Sequence, residues 1–288
     1  MIYFIHHSAS SIQVDHVISK VGHELDDVID RLFPKQIGRG ASKHWNEPSI
    51  NDIPVDFDRD ARLIQATSSS YVQAIDTDRL MELATEGNLL LQIQKRPGDF
   101  VVKGSPLVMV YPAEAISKKL PEQINNAFML GSQRTDQQDI EFSINQLVEI
   151  ASRALSPGIN DPFTAVRCVD QLSAALCHLA QKEIPSAYRY DDGDKLRVIA
   201  EPVSFVDVID AAFNQIRQYG KTSVAVTIRL LEAIAIIAPF THTKADRAAL
   251  LRHANMIERG SHEEISEELD QKDVKERYLA AVKAIEQQ

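Results

Sequence analysis

No stretch of this chain is apolar for long enough to cross a bilayer. The most apolar segment, 223–240, is interrupted by Arg229 and Glu232, whereas a span takes about 20 nearly uncharged residues. The chain is also poor in cysteine, with only Cys168 and Cys177. Set nine apart in a helical pattern, they stand about 13 Å apart along the axis. That excludes a disulfide within the helix and fits reduced thiols in a cytosolic compartment. Basic charge is short as well: 31 Lys and Arg against 41 Asp and Glu leave a net charge of −10. With no cluster of basic and aromatic residues to offset it, a nucleic-acid partner is excluded on electrostatic grounds. Neither a His-Glu-x-x-His motif nor a Cys-x-x-Cys pair accompanies His6, His7, His16, His23, His242, His253 and His262, so no metal or other cofactor is expected. His16 and His23, seven apart, read as a solvated helix edge.

What is present is ample material for a core: 288 residues, 44% hydrophobic and 25% charged, a length for one or two domains. The patterning predicts an α+β chain, predominantly helical, with a small β-rich barrel-sandwich-like domain. A first helix, from about Ser10 to Leu32, carries Val14, Ile18, Val21, Leu25, Val28 and Leu32 at the alternating spacing of a coiled-coil seam. Pro34 ends it. Residues 1–34 are thus one element, and 35–60, with Gly38, Gly40, Pro48 and Pro54, read as a linker. Residues 61–112 hold short strand candidates at Leu63, Tyr71, Leu89 and Leu107, with a helix from Asp78 to Glu86 between the second and third. From 113 to 288 the pattern is helical, except for a hairpin at 188–199 across Asp192 and Gly193. One predicted helix carries Ile140, Ile144, Leu147, Ala151 and Leu155. The next buries Phe163, Val166, Val169, Leu172, Leu176 and Leu179. Helices over about 205–219, 223–237, 245–259 and 263–285 complete the chain.

Polar side chains crowd the junction of the two helices that hold those stripes. Arg134, Asp139 and Glu141 surround the start of the first; Arg153, Ser156, Asn160, Asp161, Thr164 and Arg167 surround the turn into the second. Asp136 or Asp139 is the expected cap of the first helix and Asn160 or Asp161 that of the second, with Pro162 in its first turn. Gly158 is expected in a conformation closed to other residues. Taken as binding residues, the nine would hold a small anionic ligand, with Arg153, Arg167 and the free amides at the start of the second helix as donors. A helix from Asp139 to Leu155 is about 24 Å long. Within one subunit its two polar ends therefore cannot share one small catalytic site. Ser156 has no Gly-x-Ser-x-Gly elbow.

The words Ala154-Leu-Ser-Pro-Gly-Ile-Asn-Asp-Pro-Phe-Thr-Ala165, with Arg134-Thr-Asp-Gln-Gln-Asp139 before them, resemble the signature of a bacterial family of predicted membrane proteins, domain of unknown function 2254. The resemblance runs from Tyr3 to about Glu258 and is densest from Arg134 to Asp170. It implies membrane helices just before a segment like Tyr3-Phe-Ile-His-His7, so the chain is expected to be the extramembrane portion of a longer inner-membrane protein, on the cytoplasmic side. Met1 to Ile5 would be the interfacial remnant. The phrase Arg96-Pro-Gly98-Asp99 to Gly104 resembles the turn of lipoyl and biotinyl carriers and their barrel-sandwich relatives. Lys103 lies in the wrong turn for a prosthetic arm. Three heptads suit equally a seam between two copies and a face packed on the same chain; these readings imply a regulatory, assembly or ligand-sensing role without catalysis, and the expectation carried forward is a homo-oligomer mated through the Val14 to Leu32 seam. The alternative is a membrane-associated hydrolase-like enzyme using the turn from Ser156 to Asp161.

Overall fold

The computed structural model describes residues 2–33 and 52–287, with the side chains of the first helix described from Gln13 onward. Pro34, most of the expected linker and the side chains of His6 and His7 lie outside the described residues. The chain divides into two units. One comprises residues 35–142 and 184–203, the other 1–34, 143–183 and 204–288.

The first unit is built on period-two patterning. Strands β1 (Arg62–Gln65), β2 (Ser70–Ile75), β3 (Leu90–Ile93), β4 (Phe100–Val101), β5 (Pro106–Tyr111), β6 (Phe128–Gly131), β7 (Tyr188–Tyr190) and β8 (Leu196–Ile199) form two sheets. Their orders are β1-β5-β3-β8-β7 and β4-β2-β6. The neighbours pair antiparallel, except β3 and β8, which are parallel with Leu91 opposite Val198. The hairpin of β7 and β8 therefore continues the larger sheet. Val198 joins a core of Val72, Leu80, Leu91, Leu107, Val110 and Ile124, which extends the apolar face laid down a hundred residues earlier. Helix α2 (Phe57–Asp60), α3 (Thr77–Glu86) and α4 (Leu120–Asn126) complete this unit. Asp76 caps α3 by accepting from the Arg79 amide at 2.9 Å. Gly98 and Gly104 take φ of 94° and 90°, the left-handed turns their positions predict.

The second unit is helical. It contains α1 (Ile2–Leu32), α6 (Pro162–Ala180), α7 (Phe205–Gly220), α8 (Val224–Ile237), α9 (Lys244–Glu264) and α10 (Glu268–Glu286), together with α5 (Ile140–Ala154) from Ser143 on. The apolar segment too short and too charged for a membrane becomes α8, packed on α6, α9 and α10. Its buried Val226, Leu230, Leu231, Ile234 and Ile237 form one broad apolar face, as a helix packed on several neighbours requires. No described helix is long and apolar enough to cross a membrane.

Three expectations change here. The α1 seam is not free for a second copy: Ile18, Val21, Leu25 and Val28 are buried within the chain, where α1 packs on α6. Phe163 is not buried but 71% exposed, because it sits in the first turn of α6, before the stripe that begins at Ala165 reaches the core. Gly158 has no positive φ. Asn160 takes the left-handed conformation instead, at φ 50°, a role amide side chains tolerate.

Candidate functional site

The signature residues fall into two clusters. In the β-rich unit, Arg134 grips Asp139 with both arms of its guanidinium: Nε donates to Oδ2 at 2.7 Å and Nη2 to Oδ1 at 2.9 Å. Asp139 is 4% exposed. Its Oδ1 also accepts from the Phe142 amide at 3.2 Å, so it, and not Asp136, caps α5. Hydrogen bonding to Asp139 raises the affinity of Arg134 for its proton, beyond what burial removes. Glu141 stands 3.8 Å from Arg134 Nη2, a looser ionic contact. The pair lies against the Arg96 to Asp99 turn, where a Cβ on Gly98 would come within 2.4 Å of Asp139 Oδ2. Asp99 closes that turn by accepting from the Arg96 amide at 3.0 Å.

In the helical unit, Asp161 caps α6. It accepts from the Thr164 amide at 3.2 Å and from Thr164 Oγ1 at 2.6 Å. Burial works to raise the Asp161 carboxyl, but those two bonds and Arg167 outweigh it and hold it below the usual carboxylate value. Thr164 Oγ1 accepts in turn from Arg167 Nη2 at 3.2 Å, and Arg167 Nη1 donates to Asp15 Oδ2 of α1 at 3.1 Å. The second contact, Nε to Oδ1 at 3.0 Å, is ionic; it is too far off axis to count as a hydrogen bond, and both atoms are buried without one. Ser156 Oγ donates to the Arg153 carbonyl at 2.7 Å. Arg153 pairs with Glu149 and is mostly exposed. The two arginines expected to hold an anion at this turn are thus both engaged by carboxylates, and the Ser156 hydroxyl is engaged by backbone.

Sequence reading missed the residues that extend this cluster. Arg167 to Asp15, His178 to Asp26 and Lys182 to Asp30 are each 152 residues apart, so α1 and α6 run parallel in one register. His178 lies 3.4 Å from Asp26 and 3.1 Å from Asp30. The Lys182 bond comes first among the causes that lower the Asp30 carboxyl. The signal was there: Asp15, Asp26 and Asp30 flank the apolar seam of α1 as Arg167, His178 and Lys182 flank that of α6. What single-helix periodicity could not say is which helix partners which.

Among the described residues no group of His, Cys, Asp or Glu could hold a metal ion. His16, His23, His242 and His262 are exposed. Burial pushes the Cys168 thiol up to about 12 and raises that of Cys177, so neither is poised as a thiolate nucleophile at neutral pH. What the second cluster can do chemically is fasten one helix end to another and orient the turn between α5 and α6. That turn presents Ile159, 61% exposed, and Phe163 to solvent.

A family model described as Predicted membrane protein (DUF2254) matches residues 1–235. The uncharacterized proteins Rv1290c of Mycobacterium tuberculosis (strain H37Rv) and Mb1321c of Mycobacterium bovis are each 30% identical to this chain over 274 residues. The alignment covers 94% of this chain and 51% of each relative. The chain therefore spans about half the length of the curated relatives it matches. No solved structure matches.

Proposed function

This chain belongs to the DUF2254 family of predicted membrane proteins, and from that premise we propose that it is a non-catalytic extramembrane module of a bacterial inner-membrane protein. In this reading it lies on the cytoplasmic side, and its signature turn docks against the membrane-embedded part and reports on it through α1. The observation that carries the reading is the ion-pair register between α1 and α6. With an offset of 152, residue 10 falls opposite Pro162, so α1 continues beyond the start of α6 by about two turns, at 3.6 residues each. The signature residues Asp161, Thr164 and Arg167 fasten that end, and the same turn leaves Ile159 and Phe163 uncovered beside it. Exposed apolar side chains on a turn this tightly fixed favour a partner surface over a substrate. Two free cysteines fit a reducing compartment. With the seam covered by α6, self-association would have to use another surface.

The test uses the full-length protein in lipid vesicles, with Phe163→Cys carrying a photoreactive label. Crosslinking to the membrane-embedded part is expected, and Arg167→Ala should reduce it by freeing the end of α1. A label that remains open to a water-soluble quencher and crosslinks to nothing would sink the docking reading. Turnover of an ester or phosphoester that disappears in Ser156→Ala would favour the hydrolase alternative.

A further inference from the structure

The turn that resembles a carrier's, with Lys103 misplaced for a prosthetic arm, projects from the β-rich unit as an apolar tip. Phe100 is 54% and Val102 57% exposed. Two residues apart, on β4 and just past its end, they share one side of the strand, while Val101 between them is fully buried. Tyr71 of β2 stands opposite Phe100, and the two rings meet edge to face with centroids 5.0 Å apart. Lys103 and Gly104 form the apex. A Cβ on Gly104 would meet nothing within 4 Å, so the apex is uncovered there.

Hydrogen bonds hold this tip in shape. The Ala66 amide donates to the Ser105 carbonyl at 2.9 Å and the Gly104 amide to the Ala66 carbonyl at 2.8 Å. The Lys103 amide donates to Ser69 Oγ at 2.9 Å and the Val102 amide to Ser105 Oγ at 3.2 Å. Two apolar side chains thus stand in water on a backbone fastened at four points. The joined loops, 66–69 and 102–105, contain Lys103 and no Asp or Glu. The Gln94 amide donates to the Leu107 carbonyl, which brings Lys95 beside the start of β5. Acids lie further back. Asp99, at the base of β4, accepts from the Arg96 amide, and Asp139 and Glu141, on the Gly98 side, face Arg134. Glu122 stands a turn before Asn125 of α4, whose carboxamide accepts from the Thr67 amide at 3.1 Å, and Lys118 and Lys119 precede it.

We propose that this tip rests on an anionic lipid surface, with Phe100 and Val102 entering the boundary of headgroups and acyl chains and Lys103 among the phosphates. Tyr71, half-buried behind Phe100, is a ring type favoured at that level. Size decides between a lipid surface and a protein partner. Two side chains about half exposed on a convex turn offer far less than the ~800 Å² per partner of a stable protein interface. A module of a membrane protein needs no such area, because a tethered site meets its target at an effective concentration of about millimolar. A weak contact suffices there, and each lysine near an anionic surface strengthens it about fivefold. The inference draws on the family and not on the docking of the signature turn, which belongs to the other unit.

The experiment is flotation of the intact chain with phosphatidylcholine vesicles that contain or lack phosphatidylserine, at rising lipid concentration. Binding to the anionic vesicles is expected to be at least about fivefold tighter than to the neutral ones. Phe100→Ser with Val102→Ser should weaken it about tenfold. Lys103→Glu should weaken it by a similar factor and remove much of the preference for phosphatidylserine. All three positions are exposed, so the melting temperature should change little. Met129→Ser, at an apolar residue 49% exposed elsewhere in the same sheet, should bind as the wild type does, which separates the tip from general stickiness. No flotation with either vesicle, equal flotation with both, or undiminished binding by the double variant would each overturn the proposal. So would a wild-type oligomer that becomes a monomer in the double variant by light scattering, since a second copy would then cover the tip.

Discussion

The two halves of the signature use the same residue types, arginine and aspartate, to opposite ends. In the β-rich unit, Arg134 and Asp139 form a bidentate pair with the carboxylate 4% exposed. In the helical unit, Arg167 and Asp15 are both about two-fifths exposed, at 42% and 43%. A pair of the first kind is structural: removing one partner strands a charge, while the pair itself contributes little beyond what apolar residues would. A pair of the second kind is worth about 0.2–1 kcal/mol and serves to set a register. Beneath it, the apolar seam of α1 on α6 does the holding. Polar residues in one unit are a lock, and in the other they are a guide laid over a hydrophobic joint.

The strongest way to break that comparison is to attack the joint. Leu25, 1% exposed, should cost about 2–5 kcal/mol as Leu25→Ala in urea unfolding of the helical unit. A loss no larger than that of Arg167→Ala would mean that the ion pairs, and not the seam, hold α1. Next comes the lock. Asp139→Ala leaves Arg134 partly buried without its partner and uncaps α5, and should cost about 2–4 kcal/mol. The double replacement Arg134→Met with Asp139→Leu should recover much of that, and failure to do so would give the ion pair itself a stabilising role. Gly98→Ala follows at about 1–3 kcal/mol, since φ of 94° and a Cβ 2.4 Å from the Asp139 carboxylate both oppose it.

How much of this was legible in the sequence depends on the range of the interaction. Strands β1, β2, β3 and β5, helix α3 and the six helices from α5 to α10 follow from local period and punctuation, and so do Asp139 or Asp161 as caps, because a cap acts within three residues. The parallel pairing of β3 with β8 did not follow from any local signal, since it joins segments about a hundred residues apart. The fate of the α1 seam did not either. An a/d stripe of three heptads states that a face will be covered and is silent on whether the cover is a second copy or α6. Phe163 was assigned to the core because it continues a stripe of the right period. Its place in the first turn, ahead of the buried Ala165 and Val169, put it outside.

The smallest and most specific test concerns the guide. Asp161→Ala removes the cap of α6 and should cost about 0.5–2 kcal/mol, while Asn160→Gly, at φ 50°, should be neutral or stabilising because glycine adopts that conformation without a Cβ clash. The same carboxylate carries a pH signature. Its folded value lies below the ordinary 3.8, since the bonds from Thr164 and the charge of Arg167 outweigh burial. A group held lower in the folded state than in the unfolded one stabilises the fold fully above the unfolded value and loses that contribution as pH falls through the folded one. The wild-type protein should therefore lose stability on acidification below about pH 4, and Asp161→Asn should lose less over the same interval. In a Thr164→Val background the effect of Asp161→Asn on the acid limb should shrink, because the hydroxyl bond that helps hold the folded Asp161 carboxyl low is then absent while the amide bond and Arg167 remain. An acid limb identical in wild type and Asp161→Asn would remove Asp161 from the guide and leave the register to the pairs of Asp15 with Arg167, Asp26 with His178 and Asp30 with Lys182.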